Sequence, residues 1–143
     1  MRCYSENGQS AVEMAIMVPI LALLLVVAAD FARLFYVYIA VNSAARAGAQ
    51  YGSQSLITAA DISGMKAAAT LDGSNITGLT ANASQCTCIE GSTVAACATS
   101  YCTANATATF VEVDTTAHFN TVVTYPGVPS SITLSGKAIM QVQ

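Results

Sequence analysis

The chain predicts an α+β protein: a long N-terminal helix that spans a membrane and continues as a stalk, a second short helix, and a small antiparallel sheet with a disulfide-rich loop. Three observations carry this. Sixteen uncharged residues run from Met14 to Ala29, no Pro or Gly interrupts residues 20 to 47, and the tail alternates Phe, Val and Tyr with polar residues. The organisation that follows is a leader over 1–8, a transmembrane and stalk helix over 9–52, and a small α+β domain over 53–143.

The apolar run comes first. As a helix, sixteen residues reach about 24 Å, and adding Ala11, Val12, Phe31 and Ala32 brings the segment to the roughly 30 Å hydrocarbon thickness. Glu13 and Asp30 then stand at its two ends, where a carboxylate reaches the headgroups instead of the costly bilayer centre. A core helix of a soluble domain is the rival, but the rest of the chain has too little apolar surface to wrap a helix that is hydrophobic all round. A cleaved signal peptide would divide one continuous helical pattern, and the polar leader ends at Gly8, ahead of the apolar segment.

Gly8, Gln9, Ser10, Ala11, Val12 and Glu13 resemble the processing site of type IV pilin-like prepilins, which are cut after a glycine and carry a glutamate fifth in the mature chain. The continuation through Arg46, with Pro19 in a Leu-rich run, Asp30-Phe31-Ala32-Arg33, the aromatics Phe35, Tyr36 and Tyr38, and the NSAARAGAQYG close, resembles the TadE-like family of tight-adherence pilus pseudopilins. The resemblance covers roughly residues 8 to 52. It implies a single-pass subunit of the bacterial inner membrane with a periplasmic domain, which could enter an extracellular pilus. Its partners would be a prepilin peptidase, other pilin-like subunits and the assembly machinery. It also implies that Glu13 neutralises the new amino terminus of a neighbouring subunit, a pairing with a physical motive at membrane depth. Counting basic residues alone, Arg2 against Arg33 and Arg46, favours the reverse orientation. The resemblance and the cysteines place the C-terminal part outside the cytoplasm.

Beyond the membrane, Phe31, Leu34, Tyr38, Val41, Ala45 and Gly48 recur at helical spacing as an apolar stripe. Beside it Ala40, Ala44, Gly48 and Gly52 stand at four-residue intervals, a ridge that lets another backbone approach closely, either the chain's own domain or a neighbouring subunit. Pro19 removes a backbone donor and is expected to kink or loosen the helix near Ala15. Asp30 and Arg33 pair locally, three residues apart.

Gly52-Ser53-Gln54-Ser55 reads as a stop. Thr58 to Asp61 then reads as a capping box opening a second helix to about Leu71, followed by a turn at Asp72-Gly73-Ser74-Asn75. Residues 73 to 109 are too small and polar for a core of their own. Cys86, Cys88, Cys97 and Cys102 are expected to hold them through two disulfides. A Cys86 to Cys88 bond is disfavoured by geometry, leaving two connectivities open. A zinc site lacks the paired C-x₂-C knuckles. Cys3 belongs to the leader.

ATFVEVD (108–114) and HFNTVVTY (118–125) read as a hairpin joined at Thr115-Thr116-Ala117, and SITLSGKAIMQVQ supplies a third strand after Pro126-Gly127. The net charge of −3 without a basic cluster argues against nucleic acid. His118, the single histidine, opens a strand pattern with no triad partner nearby, and Glu112 and Asp114 share a strand face as solvated carboxylates. No phosphate loop or metal motif points to a small-molecule substrate, cofactor or enzymatic activity. The alternative function is a static, membrane-anchored periplasmic binding domain that never enters a filament.

Overall fold

Alanine and leucine favour helix, and with no breaker after Pro19 the first segment closes as one element. In the computed structural model, which describes residues 7–89, 92–93, 108–123, 127 and 129–143, helix α1 runs Asn7–Gly52. The helix continues through Pro19. By packing, the chain divides into Met1–Leu34 and Phe35–Gln143. In the first unit the helix is clothed in exposed apolar side chains, among them Met14, Leu21, Leu24 and Leu25. Here Arg33 donates to the buried Asp30 at 3.1 Å.

The second unit begins with the remainder of α1. After it the helical segment breaks in two: α2 spans Leu56–Ala60 and α3 spans Ile62–Asp72. The expected capping box exists but begins three residues earlier. Ser55 accepts from the Thr58 backbone N–H at 3.2 Å, and the Thr58 hydroxyl accepts from the Ser55 N–H at 3.0 Å. Asp61, expected inside one helix, closes α2 and opens α3, its carboxylate accepting from the Gly64 N–H at 2.9 Å. A short acid that can satisfy orphan N–H groups is favoured at such a junction.

The sheet corrects two expectations. Residues 73–109, read as a loop-rich segment too small and polar for a core of its own, contain a ten-residue strand, β1 at Thr80–Ile89, followed by β2 at Ser92–Thr93. The expected turn at Thr115-Thr116-Ala117 is absent: β3 runs unbroken through Ala108–Asn120 and pairs with β4, Ser131–Gln141. The strand order is β2-β1-β3-β4, with every described pairing antiparallel. β-Branched Thr115 and Thr116 suit a pleated strand, and the true hairpin closes where Thr121 N–H meets Ser130 O at 3.1 Å.

Register assigns the faces. Val111, Val113, Thr115, Ala117 and Phe119 alternate inward on β3 and are buried. Ala81 and Ala83 of β1 and Ala138 and Met140 of β4 lie on the same side, in a core shared with Ala45 and Ala49 of α1 and Met65 and Ala69 of α3. Val41, Ile76 and Ala117 form the adjoining cluster, with Val37 and Leu79 against it. A sheet with one face packed on helices is the usual α+β arrangement.

Candidate functional site

The residues expected to carry function fall into three places. Gly8 and Gln9 lie inside the first turns of α1, so the bond between them is held in helix. A protease that binds its substrate extended would have to unwind this end, where the first four N–H groups have no helical partner. Glu13 and Pro19 are exposed on the same helix, among Val12, Met14, Ile16, Met17 and Val18, all more than half exposed. One carboxylate surrounded by apolar side chains is costly in lipid unless a cation meets it.

The small-residue ridge is the second place, and it is occupied within Phe35–Gln143. Ala44 is fully buried, and Gly48 and Gly52 are buried too. A methyl group added at Gly48 would stand 2.8 Å from Met65 O, 3.0 Å from Val113 Cγ1 and 3.1 Å from Ala69 Cβ. At Gly52 it would meet Met65 and Val111. From the other side Gly136 of β4 comes so close that a Cβ there would lie 2.8 Å from Val41 O. Thr115, fully buried, donates its hydroxyl to that same Val41 carbonyl at 2.7 Å. Of the two partners the ridge could have had, the chain's own sheet and α3 take Ala44, Gly48 and Gly52, and Ala40 lies partly buried beside Val41. Tyr36 accepts a hydrogen bond from the Asn75 side-chain amide, pinning the turn after α3 to the helix.

The third place is the outer face of the sheet. Cys86 and Cys88, two apart on β1, share it with Phe110, Glu112 and Asp114 of β3 and Lys137 and Ile139 of β4. Both cysteines are buried, and neither is a free thiol. Cys97 and Cys102 lie outside the described residues. Glu112 was expected to be solvated, but it is 7% exposed and takes Lys137 Nζ at 2.6 Å, while Asp114 Oδ1 lies 3.4 Å from the same nitrogen. The bond Lys137 donates to Glu112, with Asp114 nearby, holds the lysine's pKa above its ordinary value. Glu112 Oε2 is buried and has no hydrogen-bond partner among the described residues. His118 is exposed, with Nδ1 3.1 Å from the Thr133 hydroxyl, a surface strand residue.

Sequence reasoning missed Thr115 and Gly136, the two sheet residues that seat α1. Thr115 had been read as a turn residue, although its alternation with Val111 and Val113 was a visible signal. Asp61 was missed as a double cap. The Ser63 hydroxyl, the Gly64 N–H and the Tyr51 hydroxyl all donate to its carboxylate and hold its pKa below the ordinary value.

Compared with known families, residues 8–50 match the family described as TadE-like protein. No similarity to a curated protein or to a solved structure was found. The matched segment ends at Gln50, within the last turn of α1, and takes in Gly8, Glu13, Pro19 and the first three residues of the ridge.

Proposed function

Starting from a chain that is TadE-like over residues 8–50, we propose that it is a pilin-like, single-pass subunit serving the assembly or composition of a tight-adherence pilus. The observation that carries this is the first part of α1: a charge-free helix from Met14 to Ala29 with exposed apolar side chains, bounded by Glu13 and Asp30, in the region that matches the family. The chain inserts through this helix, with Phe35–Gln143 on the periplasmic side of the inner membrane. A prepilin peptidase cleaves after Gly8, and Gln9 becomes the new amino terminus. Glu13 then pairs with the ammonium of a neighbouring subunit, which lowers the cost of holding either charge in lipid.

Helix-to-helix contact between subunits uses the apolar surface on the Glu13 and Pro19 side. Support for this comes from the ridge, since Gly48 and Gly52 are already covered by Met65, Ala69 and the sheet, and Ala44 is fully buried. Outside the cytoplasm the four cysteines form two disulfides that join Cys86 and Cys88 to Cys97 and Cys102, in either of two pairings. The absence of a free thiol at Cys86 and Cys88 supports this reading.

Mass spectrometry of protein recovered from its native membrane tests the proposal. A chain beginning at Gln9 is expected. An intact Met1 would sink the pilin-like route and leave a static anchored domain. Thiol counting on unreduced, denatured mature protein is expected to find none; four reactive thiols would remove the disulfides.

A further inference from the structure

Both edges of the sheet carry outward-facing backbone groups. Val142 N–H donates to Thr109 O at 2.8 Å and Thr121 N–H to Ser130 O at 3.1 Å, so the even-numbered residues of β4 are the ones that bond β3. Bonded and non-bonded pairs alternate in an antiparallel ladder. Ser131, Thr133, Ser135, Lys137, Ile139 and Gln141 therefore turn their N–H and C=O groups away from the sheet, and the next in that series, Gln143, donates its N–H to Ser53 O at 3.1 Å. By the same alternation Ala81, Ala83, Gln85 and Thr87 of β1 face outward on the other side. Among the described residues no strand pairs with the outer edge of β4, and β2 meets β1 at Cys88 and Ile89 alone.

Neither edge is guarded in the usual way, by a proline, a bulge or a charge. β1 and β4 contain no proline, and the β3–β4 register holds without a bulge from Asn120 opposite Ser131 to Phe110 opposite Gln141. The one charge on the two strands, Lys137, is drawn across the face to Glu112 Oε1 at 2.6 Å and Asp114 Oδ1 at 3.4 Å, both on β3, and so away from the edge. β1 and β4 both lie antiparallel to β3 and run in the same direction. On the helix side β4 carries half-buried Ile132 and Leu134, while β1 carries the small Ala81 and Ala83.

We propose that β4 of one copy pairs in parallel with β1 of a second copy, so that the two sheets join edge to edge. Charge decides against the rival in which β4 meets a second β4. That pairing is antiparallel, its full overlap is centred on Gly136, and it sets each Lys137 diagonal to the other, a like-charge contact within reach of side chains this long. β1 brings no charge to Lys137 and puts alanines beside Ile132 and Leu134. The contact is heterologous, so each added copy leaves one edge free for the next. A single strand pair covers far less than the roughly 1,600 Å² of a stable complex. It therefore forms between copies that α1 confines to one membrane, and in that respect it rests on residues 14–29 being the membrane segment.

Photo-cross-linking in vesicles tests the contact. Full-length protein with p-benzoylphenylalanine in place of Ser135, an exposed position at the middle of β4, is mixed with isotope-labelled full-length parent, reconstituted in phosphatidylcholine vesicles, floated and illuminated. A cross-link to the labelled chain within residues 80–87 is expected. Adding Thr133→Pro removes one outward N–H and none that bonds β3, so the yield is expected to fall about fivefold, the worth of one ordinary hydrogen bond, with the melting curve unchanged. Floated protein that cross-links within 131–141, elsewhere, or not at all overturns the edge contact while the membrane segment stands. A yield indifferent to Thr133→Pro overturns it as well, and the map from position 135 decides alone if the proline unfolds the strand. Protein that fails to float overturns the membrane reading and the contact with it.

Discussion

Thr115 joins sheet to helix with one hydroxyl. It is fully buried and donates to Val41 O at 2.7 Å, with Gly136 O a longer 3.4 Å away. Valine has nearly the same shape and no donor, so Thr115→Val removes the bond without opening a cavity. The Val41 carbonyl keeps its helical partner and is not orphaned, so the expected loss is about 1 kcal/mol, the net worth of an ordinary hydrogen bond. Urea unfolding followed by circular dichroism measures it; unchanged stability would show that shape alone seats the strand. Asp61 acts at the same scale but through pH. Because its folded pKa is depressed by the Ser63, Gly64 and Tyr51 donors, its contribution is present above the unfolded carboxylate value near 4 and fades as pH falls through the folded one. Asp61→Asn should therefore be less stable than the parent at pH 6, with the gap narrowing on acidification below about pH 4. A gap that stays constant to low pH would dissociate the caps from the carboxylate's charge.

At the level of elements, the helices and strands separate by how loudly the sequence announces them. α1 was legible because sixteen uncharged residues followed by an unbroken apolar stripe fit only one period. β4 was legible from its alternation. β1 was not, since the apolar residues it packs into the core are Ala81 and Ala83, small enough to fit under α3 yet too weak to signal a strand without the neighbour that pairs with it. The turn placed at Thr115 to Ala117 failed for a related reason: two polar residues were read as a break, although neither Gly, Pro nor Asn accompanies them and β-branched side chains favour strand. At the site, Gly48 and Gly52 were visible as a ridge, whereas what covers them, Met65 and Ala69 of α3 and the distant Val111 and Val113 of β3, depended on the tertiary fold. A proline distinguishes the two descriptions. In a three-residue loop Thr116→Pro would be tolerated, but Thr116 sits in a strand bonded on both sides, opposite Thr80 and Ser135. There the loss of a ladder donor is expected to cost about 3 kcal/mol or more, by analogy with proline in a helix interior. Limited proteolysis and thermal melting of the variant check this, and a melt matching the parent would restore the loop.

For the molecule as a whole, the open question is where the rod stops and the domain starts. Composition draws the line after Gly52, where the texture turns to Ser, Thr and Asn. Packing draws it after Leu34, because Val41, Ala44, Ala45 and Ala49 are fully buried and the Val41 carbonyl lies against Thr115 and Gly136 of the sheet. A chain beginning at Phe35 retains every buried contact described for the second unit, so it is expected to melt cooperatively. A chain beginning at Ser53 loses the helix against which Val111, Val113 and Thr115 are buried. Exposing each of the two valines costs about 1.5–3 kcal/mol, and the alanine contacts and the Thr115 bond go with them, a sum comparable to the 5–15 kcal/mol that keeps an ordinary domain folded. It is expected to show no cooperative transition even with its cysteines oxidised. Should the Ser53 fragment melt as sharply as the Phe35 fragment, the last part of α1 would be a stalk after all. If only the Phe35 fragment folds, residues 35–52 of α1 are a core element of the domain, and the boundary lies where packing puts it, after Leu34.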